Sequence, residues 1–245
     1  MEKFLVINDL HACIYLPETS PTEVVVGIHG FSGDKESSVL IELSKHLNKN
    51  GVALVTFDLP CHGENDYTKI LNLDECINSI KTIFNFTKEH FKHTPISIFA
   101  TSFGGYLLLN YLSKNEETLN KVILRAPAVF MAEVLTNSFL KWRNLSKEDL
   151  ATPVSVGKKQ NLFIDGTFLN DLQLNNLENA KPTNHYLYII QGKRDDIVDP
   201  VKNEGFFKKH YPNKHKFIWF ENADHQFKKP GELERIISET MKILN

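Results

Sequence analysis

Eight short runs of apolar, largely β-branched residues recur along this chain of 245 residues, and they limit its fold more than any other feature. Residues 3–7 and 11–16 read as two strands joined by a tight connection near Asp9. Six further runs follow at 24–28, 52–57, 96–99, 121–124, 186–190 and 217–220. These six are apolar along nearly their whole length rather than alternating. A strand with that pattern is covered on both faces, which is the situation inside a parallel sheet flanked by helices. Stripes of helical period lie between the runs. Val39, Leu43 and Leu47 fall at i, i+4 and i+8, with Gly51 as a stop. Ile77, Ile80, Phe84 and Phe91 form a second stripe, and Leu107, Leu108, Tyr111 and Leu112 a third. Leu233, Ile237, Met241 and Leu244 mark a last helix after Pro230-Gly231. The expected architecture is one α/β domain over 1–245, a three-layer α/β/α sandwich around a mostly parallel eight-stranded sheet. Residues 128–183 are too long for a plain connection and read as a small cap or lid inserted in that domain.

Composition narrows the class of partner. The chain carries 28 basic and 30 acidic residues, a net charge of −2, so no basic surplus exists to neutralise a phosphate backbone, and nucleic acid is not an expected partner. The pairs Lys158-Lys159, Lys208-Lys209 and Lys228-Lys229 read as solvated faces. Cys13, Cys61 and Cys76 show no framework spacing, which suits reduced thiols and the cytoplasm. The first residues are too soon charged for a signal peptide, and no apolar run approaches the ~20 residues of a membrane span. No HExxH, CxxC or phosphate-binding loop is present, so no metal or other cofactor is expected. Monomer and homodimer both stay open.

Four local motifs carry chemistry. Ala100-Thr101-Ser102-Phe103-Gly104-Gly105 joins an apolar run to a helical stripe. A serine on such a turn is held at a strained backbone angle, and the turn closes only around small neighbours, here Ala100 and Gly104. Ser102 is therefore the candidate nucleophile. Gly27-Ile28-His29-Gly30-Phe31 ends an earlier run. The backbone N–H of Phe31, with that of Phe103, can form a two-donor oxyanion hole, worth about 3 kcal/mol per donor to a tetrahedral intermediate. His29 reads as a histidine bonded inside its own turn. Gln191-Gly192-Lys193-Arg194-Asp195-Asp196 follows the seventh run. Asp195 is favoured as the acid that orients a base, with Asp196 and Asp199 as competitors. Asn222-Ala223-Asp224-His225-Gln226-Phe227 follows the last run, and His225 completes the order Ser, Asp, His as the general base. Asp224 reads as stabilising its own loop. A serine hydroxyl is a poor nucleophile and needs such a base within reach.

With Asp58-Leu59-Pro60-Cys61-His62-Gly63, these motifs resemble, in order, the landmarks of the α/β-hydrolase superfamily over nearly the whole chain. The His-Gly-Phe loop, Gly104-Gly105, Arg125-Ala126-Pro127-Ala128 and Ala223-Asp224-His225-Gln226-Phe227 are similar to small bacterial carboxylesterases of the feruloyl and cinnamoyl kind. The resemblance implies catalytic Ser102, Asp195 and His225, oxyanion donors at Phe31 and Phe103, a mainly architectural Asp58–Gly63 loop and a cap that shapes the acyl pocket. Ala100 stands where a glycine is usual, and Phe103 where a polar residue is usual. The expected reaction is hydrolysis of a small-molecule ester with a small to medium acyl or aryl group through an acyl-enzyme. The same triad would also serve a thioesterase, a peptidase or a lipid hydrolase, and a non-catalytic binding module is the third reading.

Overall fold

The structure, a computed structural model, describes residues 1–65, 69–157 and 162–245. The Lys158-Lys159 pair lies outside the described residues. Strands β1 (Glu2–Ile7) and β2 (Leu10–Tyr15) form an antiparallel hairpin. Its turn needs left-handed backbone at Asn8 (φ 46°) and Asp9 (φ 65°), which Asn and Asp tolerate better than most residues. The chain then alternates: β3 (Glu23–Ile28), α1 (Ser38–Lys49), β4 (Val52–Phe57), α2 (Leu73–His90), β5 (Ile96–Thr101), α3 (Phe103–Lys114) and β6 (Val122–Arg125).

A longer segment follows. It holds α4 (Met131–Val134), which widens into a π-helical turn at Leu135–Leu140. Next come the two-residue strands β7 (Val154–Ser155) and β8 (Phe163–Ile164), and then α5 (Gly166–Leu174). The chain closes with β9 (Leu187–Gly192), α6 (Pro200–His210), β10 (His215–Phe220) and α7 (Glu232–Leu244).

The eight long strands form one sheet in the order β1-β2-β4-β3-β5-β6-β9-β10. β2 runs antiparallel to β1 and β4, and every other pairing is parallel. This is the mostly parallel eight-stranded α/β sheet that the apolar runs predict. Within β3, Val24, Val26 and Ile28 join one core with side chains of α2 and α3, while Val25 joins a second core with α1 and α7. Both faces are therefore covered, which is why the strands lack polar alternation. Leu135, Leu140, Leu150 and Phe168, from the segment after β6, belong to the same core as α2 and α3. The helix α6 has no clear apolar stripe in the sequence. Its start is written in the sequence: Asp199 caps it by accepting from the N–H groups of Val201 and Lys202, and Pro200 takes the first position.

The central strand β3 lies between β4 and β5, so the chain winds outward in both directions from it. The loops leaving the carboxyl ends of β3 and β5 splay apart there and leave a crevice, the usual ligand position in such sheets. The loop after β3 is anchored to the loop after β4. The Asp58 carboxylate, fully buried, accepts from the Lys35 backbone N–H (2.7 Å), the Lys35 ammonium (3.1 Å) and the Glu64 backbone N–H (2.9 Å). Burial alone would lower the Lys35 pKa, but its bonds to Glu64 and Asp58 outweigh that and hold it above the ordinary lysine range. Asp58→Ala would leave a buried ammonium without its one fully buried partner, the other two being Glu36 and Glu64 near the surface. We expect a loss of about 3 kcal/mol in urea unfolding, because breaking one side of a buried pair strands the other charge. A change below about 0.5 kcal/mol would contradict this anchoring role.

Candidate active site

β5 delivers its last residue, Thr101, to the carboxyl edge of the sheet, and α3 starts at Phe103. Ser102 lies between them at φ 50° and ψ −113°, a backbone region that costs a side-chain-bearing residue about 1–3 kcal/mol. Its N–H donates to the Arg125 carbonyl at 2.9 Å, and its carbonyl accepts from Tyr106 and Ala128 at 3.1 Å each. The turn is tight enough that a Cβ on Gly104 would meet the His29 carbonyl oxygen at 2.4 Å. Only glycine fits there.

The His225 loop follows β10 and the Asp195 loop follows β9. The two loops touch closely: a Cβ on Gly192 would lie 2.3 Å from the Ala223 carbonyl oxygen. The structure thereby brings three distant residues together. His225 Nε2 is 3.1 Å from Ser102 Oγ, and His225 Nδ1 is 2.9 Å from Asp195 Oδ2 and 3.1 Å from Oδ1. A carboxylate accepts only, so the network assigns the imidazole proton to Nδ1 and leaves the Nε2 lone pair facing the hydroxyl. This geometry allows the imidazole to take the hydroxyl proton.

Asp195 is held from three further directions. Its Oδ1 accepts from the N–H groups of Ile197 (3.0 Å) and Val198 (2.8 Å), and its Oδ2 from Gln191 Nε2 (2.8 Å). Gln191 in turn accepts from Asn203 of α6 at 2.8 Å. Gln191 and Asn203 are buried; Gln191 opens the motif that carries Asp195, and Asn203 belongs to none. The rival acids sit elsewhere: Asp196 is exposed and Asp199 caps α6. Asp224 tightens its own turn by accepting from Gln226 (2.9 Å) and Phe227 (2.8 Å). Beneath that turn, Arg125 Nη2 donates to the Gln226 carbonyl at 2.9 Å, and the guanidinium lies 4.6 Å from the Phe227 ring centre.

The loop after β3 abuts the serine, since a Cβ on Gly30 would come 3.3 Å from Ser102 Cβ. Phe31 and Phe103 sit on either side of that contact, with ring centres 5.5 Å apart. The Phe103 N–H is the first of α3, one of the groups an α-helix leaves without an internal acceptor. A cleft of about 600 Å³ opens over Ser102 and His225. Phe31, Phe139, Trp142 and Ile197 supply apolar wall, and Ser38, Gln226 and Lys228 polar wall. Phe139 packs between Phe31 (4.6 Å) and Trp142 (5.3 Å). Among the described residues, no group of His, Cys, Asp and Glu side chains has the arrangement of a metal site.

The family model for serine aminopeptidase, S33, matches residues 19–162. The chain belongs to this family. That span covers the serine turn and the loop of Phe31. Solved structures agree on the fold of this α/β hydrolase. Est1E from Butyrivibrio proteoclasticus, with ferulic acid bound, superposes with a TM-score of 0.82 at 18% identity, covering 99% of this chain and 97% of that one. The mouse α/β hydrolase domain-containing protein 10 gives 0.76 at 14% identity over 100% and 98%. A monoacylglycerol lipase from Paleococcus ferrophilus gives 0.69 at 17% identity over 95% and 97%.

Two buried histidines sit behind the cleft of this family member. His29 Nδ1 bonds the Gly30 carbonyl at 2.8 Å, and its Nε2 accepts from the Leu59 N–H at 3.0 Å, which needs a neutral ring. The His62 ring lies tilted 5.3 Å from it and edge-on 5.8 Å from Phe31. Burial, above all, pushes His29 down to about 4 and His62 down to about 3, from the ordinary 6.5. The unfolded chain therefore binds these protons at a higher pH than the native one. Their stabilising contribution is complete above about pH 6.5 and is lost as pH falls toward 4. We expect the urea-unfolding free energy to drop by about 2–4 kcal/mol between pH 7 and pH 5, and by less in His62→Asn. A flat profile would show that these rings charge freely in the native state.

Proposed function

We propose that this chain hydrolyses carboxylic esters of small to medium acyl or aryl groups through an acyl-enzyme on Ser102. The observation that carries the reading is the unbroken chain from Ser102 Oγ to His225 Nε2 (3.1 Å) and from His225 Nδ1 to Asp195 (2.9 Å). His225 takes the Ser102 proton as Oγ attacks the ester carbonyl. The carbonyl oxygen becomes an oxyanion between the N–H groups of Phe31 and Phe103. The tetrahedral adduct collapses, His225 returns the proton to the leaving alcohol, and the acyl group stays on Oγ. Water, deprotonated by His225, then releases the acid. Asp195 holds the tautomer and stabilises the imidazolium. Residues 128–183 act as a cap whose Phe139 and Trp142 give the cleft an aromatic wall suited to an aryl or alkyl group. Est1E, which binds ferulic acid, lends weight to an aryl ester. The buried, unframed Cys13, Cys61 and Cys76 suit a cytoplasmic enzyme.

The family's aminopeptidase description favours a second reading, cleavage of an aminoacyl amide. Such a substrate brings a free ammonium group. Among the described cleft residues, Glu234 is the one carboxylate, against Arg125, Lys228 and Lys229, so the wall favours an ester. An alkyl fluorophosphonate should label the protein, and Ser102→Ala should abolish both labelling and p-nitrophenyl butyrate hydrolysis. Asp195→Asn should lower kcat by about 10³–10⁴. Undiminished ester turnover in Ser102→Ala would end this reading. A preference for aminoacyl amides over esters of the same acid would favour the peptidase.

A further inference from the structure

Among the described residues that line the catalytic cleft, Arg125 is the one buried cation. It ends β6, directly paired with Thr101 of β5, one residue from the serine. The side chain is 9% exposed, and its Nε finds no acceptor. Nη2 takes the carbonyls of Gln226 (2.9 Å) and His225 (3.5 Å). Among the described residues, no carboxylate lies within 4.0 Å of it; Asp195 and Asp224 act on it only at longer range. Burial pushes the guanidinium down to about 10, so it is still charged at neutral pH. Buried charges are ordinarily paired, and one left without a close counter-ion beside an open cleft points to a partner that enters with the substrate. The rest of that wall agrees in sign. Lys228 is exposed and makes no ion pair among the described residues, and the first turn of α1 at Ser38 opens on the same cleft with its positive end. Lys229 also lines it, although its ammonium donates to the Asn222 carbonyl. Glu234, at the start of α7, is the opposing charge.

The position fixes which half of the substrate is recognised. His225 must pass its proton to the leaving group, so the leaving group lies on the His225 flank of the serine. Arg125 holds the backbone of that flank, and Lys228 follows three residues later. The Phe31 and Phe139 rings, 4.6 Å apart, line the same cleft. We infer that the leaving alcohol bears an anionic group, a carboxylate or a phosphate, which pairs with Arg125 and is drawn in past Lys228. This rests on the ester-hydrolase reading and adds the charge of the substrate to it. The bidentate fork of arginine suits either anion.

The test compares two esters of one acid: phenyl acetate and 4-carboxyphenyl acetate. The wild type should favour the charged ester in kcat/KM by about tenfold or more, mainly through KM. Arg125→Gln should erase that preference, and Arg125→Lys should restore part of it. A purely structural role for Arg125 would lower both rates together and leave their ratio unchanged, which would overturn the inference. Should Arg125→Gln fail to fold, the wild type alone decides. The anion 4-hydroxybenzoate should inhibit phenyl acetate hydrolysis competitively while 4-hydroxybenzamide does not, and equal inhibition by both would refute the anion site. Hydrolysis of neither ester in a Ser102-dependent manner would overturn the hydrolase reading itself, and the inference with it. Ester hydrolysis with no charge preference would overturn the inference alone.

Discussion

Ser102 is fixed in a backbone conformation that a serine avoids, and the geometry of the site follows from that one constraint. The strain is of the order of 1–3 kcal/mol. It is sustained because neighbours over-determine the turn: Arg125 accepts from the Ser102 N–H, Ala128 and Tyr106 donate to its carbonyl, and Gly104 lies against the His29 carbonyl. The same contacts set the start of α3 behind the serine and the loop of Phe31 beside it. A relaxed serine at this position would turn its hydroxyl away from His225, and the close loop contact at Gly192 would then serve nothing. The sheet order matters for the same reason, since it puts β3, β5, β6, β9 and β10 side by side and so gathers five loops at one edge.

The polar groups behind the site form two clamps with different physics. On the acid side, Gln191, itself held by Asn203, and two backbone N–H groups surround Asp195, so its orientation is set before any substrate arrives. On the loop side, Lys35 and Asp58 tie the loops after β3 and β4 together with a buried ion pair, and His29 adds a neutral bond to Leu59. Bonds of this kind hold a site rigid, whereas Arg125, which donates to two backbone carbonyls, has no carboxylate within 4.0 Å among the described residues, the imbalance on which the proposed anion site rests.

Much of this was legible in the sequence because burial on both faces leaves an unmistakable mark. All eight strands of the sheet coincide with apolar runs, and the serine turn with a small-x-Ser-x-Gly pattern between a run and a stripe. Other parts left weaker marks. Asp195, Asp196 and Asp199 sit within five residues, and only the turn geometry distinguishes a carboxylate accepting from Ile197 and Val198 from one capping a helix. Asp199 fits two sequence roles, a rival acid and a helix cap before Pro200, and the structure gives it the second. Gln191 shows in the sequence as the first residue of the Asp195 motif but not as that carboxylate's partner, and Asn203 leaves no signal, since a buried amide in a helix looks like any other in one sequence. In 128–183 the length alone announced an insertion; its π-helical turn and short hairpin depend on packing that no periodicity records.

The account stands on a covalent step at one hydroxyl. The direct measurement uses p-nitrophenyl trimethylacetate, whose bulky acyl group is slow to leave, with acid quenching and peptide mass analysis as nitrophenolate is released. The arrangement described here predicts a trimethylacetyl group on the peptide that carries Ser102, formed as the nitrophenolate appears. Steady nitrophenolate release with that peptide unmodified, or with the acyl group on another residue, would contradict it.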